Sequence, residues 1–339
     1  MTYLKEKSYN NFFSHIYIEK GIADNRKCRE ITDKFPNARI IYIGHYKDVF
    51  CGGNRNFAKE KKSPSLILAK KTDNFIYKGA KVCQDFGNDN FYYTSNIMNC
   101  YFDCEYCYLQ GMYRSGNIVI FVNMEDIFSA VDEALEKHSV YLCISYDTDM
   151  LAMENITGFI KEWVEYARDK ENLKIEIRTK SCNIKSIENI KACGNIVFAW
   201  TLSPESIIEK YEHLTGRFDK RREAVKKCCE LGWKVRLCFD PMIYCKEFEK
   251  VYGEAIRRAF EDIDEKYIDG VSIGVFRISK EYMKIMKKQR KSTVTLFPYK
   301  NVNGVYCYGE ETDKRMVGFA KNEVMKYIGK DKIFVWGEQ

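Results

Sequence analysis

The sequence contains little proline and no long apolar run. Only 5 of its 339 residues are proline and no Ser/Gly tract interrupts it, which excludes collagen-like and low-complexity chains. No stretch approaches the roughly 18 uninterrupted apolar residues that a transmembrane helix needs. With 45% hydrophobic residues, a chain of this length can bury a large core. These features predict a soluble globular protein of more than one minimal domain.

Residues 1–14 also lack the succession of basic, apolar and small residues that makes a secretory signal. We therefore expect a cytoplasmic protein with no membrane partner. The 55 Lys and Arg residues against 48 Asp and Glu leave a net charge of +7. A surplus of this size does not by itself mark a DNA-binding protein.

Three parts of the chain differ in pattern. Residues 1–88 predict a small N-terminal α/β subdomain, residues 89–291 a partial (β/α)6 barrel, and residues 292–339 a β-hairpin with a terminal helix or strand. In the central part short β-rich runs alternate with amphipathic stretches, as is typical of a parallel sheet. The strands predicted for the barrel are Phe91–Ser95, Ile118–Val122, Val140–Ile144, Leu173–Ile177, Ile196–Thr201, Trp233–Phe239 and Val271–Val275.

The chain has 14 cysteines. In a long chain without an export signal, cysteines are more often thiols, metal ligands or catalytic groups than disulfides. Most are scattered through periodic segments, where a buried cysteine acts as a small hydrophobe. Three are not scattered: Cys100, Cys104 and Cys107 have C-x3-C-x2-C spacing just beyond the first predicted barrel strand.

Three thiols from one tight loop indicate an iron–sulfur cluster. A closed structural zinc site takes four ligands, and the nearby His138 does not have the spacing of a ligand. A cluster held by three thiolates leaves one iron free to bind a small molecule. The spacing leaves open a zinc site completed by a distant cysteine, in a zinc-dependent nucleic-acid-binding module.

This cysteine spacing at the opening of a barrel resembles that of the radical S-adenosylmethionine (radical SAM) enzymes. The resemblance implies a [4Fe-4S] cluster whose free iron chelates S-adenosylmethionine, which reduction splits into methionine and a 5′-deoxyadenosyl radical. Residues 104–110 and 120–127 are similar to the spore photoproduct lyase family, which repairs the methylene-bridged thymine dimer of ultraviolet-irradiated spore DNA. The resemblance runs from about Cys83 to Tyr308.

The resemblance also implies roles for single residues at the cofactors. Cys100, Cys104 and Cys107 match the cluster ligands. Lys180 matches a lysine at a strand end that holds the carboxylate of S-adenosylmethionine, as suits an ammonium point charge.

Four more residues match functional positions of the family. Thr148 and Thr201 stand where the family has serines near the cofactor, and each keeps a hydroxyl for a hydrogen bond. Tyr106 and Tyr108 match two tyrosines that take part in returning hydrogen to the cofactor radical. A phenol O–H suits this task because it loses a hydrogen atom without leaving a charge behind.

The sequence departs from the family at the residue that donates hydrogen to the product radical. The best studied form of the lyase carries a cysteine directly before a Thr-Ser-Asp pattern, and the matching position here is Tyr146. We predict that Cys83 is the replacement donor, with Tyr146 as the next candidate and Cys143 as the third. Alternation along the strand places Cys143 on the opposite face from Tyr146.

Basic clusters and an aromatic hairpin are the features that predict a nucleic-acid partner. The hairpin consists of Val294–Tyr299 and Val305–Tyr308 around an Asn-Gly turn, and Tyr299, Tyr306 and Tyr308 are its candidates for stacking on an extruded base. Lysine and arginine beside such a turn can neutralise phosphates. The clusters are Lys59–Lys62, Lys70–Lys71, Lys220–Arg222, Lys226–Lys227 and Lys287–Lys291.

The sequence therefore predicts a radical SAM DNA repair lyase that reverts spore photoproduct, 5-thyminyl-5,6-dihydrothymine, to two thymines. Its expected partners are ultraviolet-damaged DNA and an electron donor such as flavodoxin or ferredoxin, with the oligomeric state left open. The missing cysteine and the altered hairpin favour an alternative: a radical enzyme of the same family acting on a different nucleic-acid or small-molecule substrate.

Overall fold

The computed structural model describes residues 12–53, 56–80 and 83–337. The expectation of a cytoplasmic protein depends on residues 1–14. Residues 1–11 of that segment lie outside the described residues. The strands are β1 His15–Glu19, β2 Arg39–Ile43, β3 Leu66–Ala69, β4 Tyr77–Lys78, β5 Phe91–Tyr93, β6 Ile97–Met98, β7 Asp103–Cys104, β8 Ile118–Phe121, β9 Val140–Cys143, β10 Leu173–Thr179, β11 Ile196–Thr201, β12 Glu212–His213, β13 Lys234–Met242, β14 Ile268–Val275, β15 Ile278–Ser279, β16 Lys300–Val302, β17 Val305–Cys307 and β18 Ile333–Val335.

The helices lie mostly between the strands of the central region. Helix α5 shows how the sequence forms such a helix. Met124, Ile127 and Val131 are buried on one face, and two acidic residues in the first turn complement the helix dipole. The helices are α1 Arg26–Thr32, α2 Tyr46–Phe50, α3 Phe57–Lys62, α4 Leu109–Met112, α5 Met124–Leu135, α6 Met150–Thr157, α7 Phe159–Ala167, α8 Glu205–Tyr211, α9 Phe218–Glu230, α10 Phe248–Ala259, α11 Lys280–Gln289 and α12 Glu310–Val324.

The larger sheet confirms the predicted fold class. Its strand order is β18-β14-β13-β11-β10-β9-β5-β4, and it curls into a half-barrel. All neighbours pair in parallel except β4 with β5. Strand β11 is buried on both faces, as expected for a central parallel strand covered by helices. The carboxyl ends of the parallel strands share one edge, where the loops of an α/β barrel build its site.

One predicted barrel strand belongs to the other sheet. Strand β8 pairs in parallel with β3, with Leu66 opposite Ile118, in a five-stranded sheet of order β2-β1-β3-β8-β6. Its expected place in the barrel is therefore wrong. The apolar run correctly predicted a buried strand, but long-range pairing with the N-terminal segment determines which sheet it joins.

The C-terminal hairpin forms, with different bounds from those predicted. Strands β16 and β17 pair antiparallel around Asn303 and Gly304, whose φ angles of 50° and 84° are those of an Asn-Gly hairpin turn. The predicted strand Val294–Tyr299 is wrong. The Ser292 carbonyl accepts from Leu296 N at 3.0 Å and the Ser292 side chain accepts from Thr295 N at 3.2 Å, so this segment begins as a turn.

The last described strand, β18, pairs with β14 at the edge of the half-barrel, so the chain returns to the large sheet after the hairpin. The division into three domains at residues 88 and 291 stays a prediction. In the described ranges, no helix has the length and apolarity needed to cross a membrane.

Candidate active site

The three clustered cysteines lie in one short segment between β6 and α4. Cys104 belongs to β7, which pairs antiparallel with β12 so that Cys104 lies opposite Glu212. The loop then closes tightly, because Cys107 N donates to the Cys104 carbonyl at 3.1 Å. Cys104 is buried, and Cys100 and Cys107 are half-buried. The predicted loop therefore presents all three thiols on one short segment beside the barrel.

Lys180 follows directly after β10 and faces this loop. Its Nζ lies 5.2 Å from the centroid of the Tyr106 ring. Burial raises the pKa of the Cys104 and Cys107 thiols, and the positive charge of Lys180 opposes that rise. The ammonium thus stabilises thiolates at the positions that the sequence assigns to cluster ligands.

Asp149 fixes the position of Lys180, and the sequence prediction did not include it. Its Oδ2 accepts from Lys180 N at 2.6 Å, and its Oδ1 accepts from Thr179 Oγ1 at 2.7 Å. Asp149 also caps α6 by accepting from Ala152 N. One buried carboxyl therefore connects the loop after β9 to the end of β10. Its place directly after Thr148, a predicted site residue, was the available signal.

A buried ion pair lies beneath the cysteine loop. Glu212 pairs with Arg221, and both side chains are fully buried. Tyr106 donates its hydroxyl to the same carboxylate, as does Ser203 at 2.6 Å. Burial alone would raise the pKa of Glu212, but the charges of Arg221 and Lys180 lower it to about 2. Glu212 therefore stays ionised and holds Tyr106 in place. Arg221 stood in one of the predicted basic clusters, and the structure removes it from the surface.

Glu212→Gln is expected to destabilise the fold by about 3 kcal/mol at neutral pH, because it leaves the buried Arg221 charge uncompensated. A carboxyl whose folded pKa is depressed stabilises the folded state above its ordinary pKa, and this contribution is lost as the pH falls towards about 2. Urea unfolding at pH 7 and pH 3 should therefore show a smaller difference between variant and wild type at pH 3. Glu223→Gln, at an exposed pair with Lys220, is the control and should cost little. An equal cost for both variants would contradict the prediction.

Cys83, Tyr146 and Tyr108 meet at the carboxyl end of β9. Cys83 Sγ lies 3.6 Å from the Tyr146 hydroxyl oxygen. The Tyr146 ring stacks on Tyr93, with centroids 4.2 Å apart. Tyr108 donates its hydroxyl to the Tyr146 carbonyl, and their ring centroids are 6.0 Å apart. The structure thus brings the first two candidate donors into contact and connects them to one of the family's tyrosines.

The third candidate, Cys143, is buried within β9. Burial raises the pKa of its thiol to about 12, with the negative charge of Glu176 adding to the rise. Cys83 and Tyr146 are joined by a hydrogen bond. Among the described residues, no hydrogen bond joins Cys143 Sγ to either of them.

The remaining predicted residues lie at the same edge of the sheet. Thr148 is buried after β9, and its Oγ1 has no hydrogen-bond partner among the described residues. The neighbouring Asp147 likewise has an unpartnered Oδ1, although its Oδ2 accepts from Tyr113 at 2.9 Å. Thr201 ends β11, where its carbonyl accepts from Arg221 at 2.9 Å.

These residues fit a cluster with a bound small molecule. Buried, unpartnered oxygens such as those of Thr148 and Asp147 need a polar partner, which a ligand can provide. Among the described residues, no three His, Cys, Asp or Glu side chains converge on one point as a single metal ion requires. A four-iron cluster spreads its thiolates over different irons, so it does not need such convergence.

Most of the predicted basic clusters are not free surfaces. Lys61 and Lys71 are buried, Arg222 pairs with Glu261 at 3.0 Å, and Lys226 pairs with Asp262 at 3.7 Å. The exposed lysines of α11 differ, since they lie beside the hairpin. Lys287 Nζ lies 5.8 Å from the centroid of the Tyr306 ring.

The three hairpin tyrosines also differ in how much of each side chain is exposed. Tyr308 is buried and its hydroxyl accepts from Tyr244 N at 3.0 Å, so its predicted stacking on a base is wrong. Tyr299 packs on Phe276, with centroids 5.3 Å apart. Tyr306 stays partly exposed next to Lys287.

A parallel half-barrel whose first parallel strand leads towards three clustered thiols, with a lysine at the end of another strand of the same sheet, defines a radical SAM enzyme. The family model described as "Spore photoproduct lyase" matches residues 69–332. The chain belongs to the spore photoproduct lyase family.

Two relatives show how far the similarity extends. The spore photoproduct lyase of Clostridium acetobutylicum is 22% identical over 342 residues, which cover 95% of this chain and 98% of that protein. The Bacillus subtilis enzyme of the same name is 22% identical over 256 residues, covering 74% of this chain and 72% of that protein.

Solved structures have the same fold. Spore photoproduct lyase complexed with dinucleoside spore photoproduct superposes with a TM-score of 0.78 at 18% identity, covering 96% of this chain and 99% of that one. A mutant of spore photoproduct lyase with bound AdoMet and dinucleoside spore photoproduct also gives 0.78, covering 96% of this chain and 98% of that one.

Family membership confirms the predicted enzyme class. The chain is a radical SAM enzyme of the lyase type, and its family uses a [4Fe-4S] cluster and S-adenosylmethionine. The alternative of a zinc-dependent nucleic-acid-binding module is wrong.

Proposed function

We propose that this chain repairs DNA by reverting spore photoproduct to two thymines, with Cys83 as the hydrogen-atom donor. The observation that carries the proposal is the 3.6 Å contact between Cys83 Sγ and the Tyr146 hydroxyl. It supplies a thiol beside the position at which the sequence lacks the family's cysteine. The lyases named above, in which dinucleoside spore photoproduct is bound, support this substrate class.

The cofactors are held by residues from the shared edge of the sheet. Cys100, Cys104 and Cys107 bind the cluster, Lys180 binds the carboxylate of S-adenosylmethionine, and Thr148 with Thr201 offers hydroxyls to it. When bound and reduced by one electron, this pair supplies a 5′-deoxyadenosyl radical that removes a hydrogen atom from the lesion. The chain's own residues carry the later hydrogen transfers.

Cys83 returns a hydrogen atom to the thymine radical that remains after the methylene bridge breaks. Its S–H bond breaks, a C–H bond forms at the product methyl group, and a thiyl radical is left on Cys83. Reversion of the lesion involves no net oxidation, so the hydrogen removed at the start must come back to Cys83. The Tyr146 hydroxyl contacts the sulfur. Tyr108 donates its hydroxyl to the backbone carbonyl of Tyr146, and the centroids of the two rings lie 6.0 Å apart, so we propose these two phenols as the return path.

Burial suits the tyrosines to this task. It raises the pKa of the Tyr106, Tyr108 and Tyr146 phenols, most directly by desolvation. Each therefore keeps its O–H bond at neutral pH and can pass a hydrogen atom rather than a proton alone. Tyr106 stands beside Lys180 and is a further phenol for returning hydrogen towards the cofactor.

The hairpin and the neighbouring α11 form the surface that contacts DNA, and the lesion reaches the site from this side. Lys287 and Lys288 are exposed on α11, and Val302 is 50% exposed on β16 next to the turn. Lysines neutralise phosphates, and an apolar turn can enter a stack that the lesion has already weakened.

We expect Lys287→Glu/Lys288→Glu to weaken binding to thymine-containing oligonucleotides uniformly across sequences. Each lost phosphate contact should reduce the slope of log K against log salt by about one. Fluorescence anisotropy at several salt concentrations measures both effects. Lys250→Glu, on an exposed face of α10, is the control. An unchanged salt slope in the double variant would show that α11 does not contact phosphates.

The proposed function is tested by an anaerobic assay of the iron-reconstituted protein with S-adenosylmethionine, a strong reductant and an oligonucleotide that contains spore photoproduct. Restored thymine and 5′-deoxyadenosine are measured together. Restored thymine supports the lyase. Deoxyadenosine without thymine would overturn this substrate and favour the alternative of another nucleic-acid or small-molecule substrate.

The reaction needs a low-potential electron donor, which we propose is a flavodoxin or ferredoxin in the cytoplasm. The cysteines of the described residues form no disulfide, which fits a reducing compartment.

A further inference from the structure

Lys61 reaches the cluster loop from the N-terminal part of the chain. It lies in α3, before the segment that the family model matches, and its side chain is buried. Lys61 Nζ donates to the Cys100 carbonyl at 2.6 Å and to the Phe102 carbonyl at 3.0 Å. Both carbonyls belong to the loop that carries the three thiols.

Neighbouring contacts clamp α3 to this loop. Glu60 Oε2 accepts from Ser115 Oγ and from Gly116 N, both at 2.8 Å. A Cβ atom at Gly116 would lie 2.6 Å from Lys61 N, so only glycine permits this approach. These contacts hold the backbone of α3 at Lys61 against Ser115 and Gly116.

Asn99 completes the arrangement from within the loop. Its Nδ2 donates to the Ser115 carbonyl at 2.7 Å, and its Oδ1 accepts from Cys100 N at 3.0 Å. Cys100 is thus held through its own N–H by Asn99 and through its carbonyl by Lys61.

The charge of Lys61 needs a partner. In the described part of the chain its ammonium forms hydrogen bonds to carbonyls and no ion pair with a carboxylate. A buried cation is costly unless a negative charge lies nearby. A [4Fe-4S] cluster with three thiolates carries net negative charge, and one-electron reduction adds to it. Lys61 lies against the segment that carries these thiols, since its Nζ is 2.6 Å from the carbonyl oxygen of Cys100 itself.

We propose that Lys61 is a positioning residue that holds the Cys100 end of the loop and acts as counter-charge to the cluster. Positive charge beside a cluster favours the reduced state, since net charge and hydrogen bonding set its potential. The inference rests on the cluster ligands given above and not on the identity of the lesion. The N-terminal part of the chain therefore tunes the electron-transfer step of the barrel.

The test compares Lys61→Met, Lys61→Arg and the exposed neighbour Lys62→Met, each with its cluster reconstituted. Iron and sulfide content report whether the loop still holds the cluster. A redox titration followed by electron paramagnetic resonance, without lesion or S-adenosylmethionine, gives the midpoint potential. Neither readout depends on lesion repair, so failure here is distinct from failure of the proposed function.

In Lys61→Met we expect the ratio of reduced to oxidised cluster at a fixed potential to fall about tenfold, a shift of about 59 mV for one electron. Lys61→Arg should restore most of the ratio, and Lys62→Met should match wild type. The proposal is also supported if Lys61→Met folds but loses iron, while Lys61→Arg keeps its iron. A full cluster with unchanged potential in Lys61→Met overturns it, as does equal loss of iron in Lys61→Met and Lys61→Arg. If Lys61→Met does not fold, the neutral Lys61→Gln takes its place with the same criteria.

Discussion

Cys104→Ala is expected to abolish formation of 5′-deoxyadenosine and lesion repair together. The substitution removes one of the three thiols that we propose hold the cluster, and Cys104 is the buried one, fixed by the pairing of β7 with β12. The two remaining thiols cannot take its place, because the loop is held in one shape by the hydrogen bond from Cys107 N to the Cys104 carbonyl. The protein should lose most of its iron and sulfide and its broad visible absorption after reconstitution.

Cys229→Ala is the matched control for this prediction. Cys229 is as buried as Cys104, at 5% exposure each, but lies in α9. Circular dichroism separates cluster loss from unfolding. If Cys104→Ala retains a full complement of iron and forms 5′-deoxyadenosine, Cys104 is not a cluster ligand.

Cys83→Ala is expected to separate the two halves of the reaction. Hydrogen removal from the lesion should continue, and the yield of thymine should fall about tenfold or more, equivalent to at least about 1.4 kcal/mol of barrier. The physical reason is that the product radical would lose the thiol proposed to quench it and would react elsewhere. Product analysis by mass spectrometry should show new products in place of restored thymine.

Isotope exchange sharpens this test. The S–H of Cys83 exchanges with solvent, so repair in deuterated water should place deuterium in the methyl group of the restored thymine. Cys83→Ala should remove that label, whereas Cys143→Ala, which changes the third candidate donor, should keep it. Tyr146→Phe should leave the first turnover intact and slow later ones, if Tyr146 returns hydrogen to Cys83 as proposed. Undiminished thymine yield and label in Cys83→Ala would eliminate Cys83 as the donor.

Local sequence was sufficient for the elements of the barrel. Strand β11 has the predicted bounds, because a run of buried apolar residues encodes it. The cysteine loop was also readable, since its three ligands lie within eight residues of one another.

Local sequence did not predict which charged side chains are buried. Arg221 and Lys61 each stand in a basic run that predicts a solvated face, yet one pairs with Glu212 and the other donates to the cysteine loop. Tyr308 likewise belongs to an aromatic run but packs inward. In each case the partner is distant in sequence or on another element, and no local pattern reports it.

The sequence by itself determined the radical chemistry of this protein: the C-x3-C-x2-C loop, the strand-end lysine at position 180, and the absence of the family's cysteine at position 146. Only the tertiary structure decided that β8 joins the N-terminal sheet, that Cys83 meets Tyr146, and that Lys61 reaches the loop. The physical reason is that ligand spacing and periodicity are local properties of the chain. Contacts between residues 39 and 63 positions apart exist only after the sheets have formed.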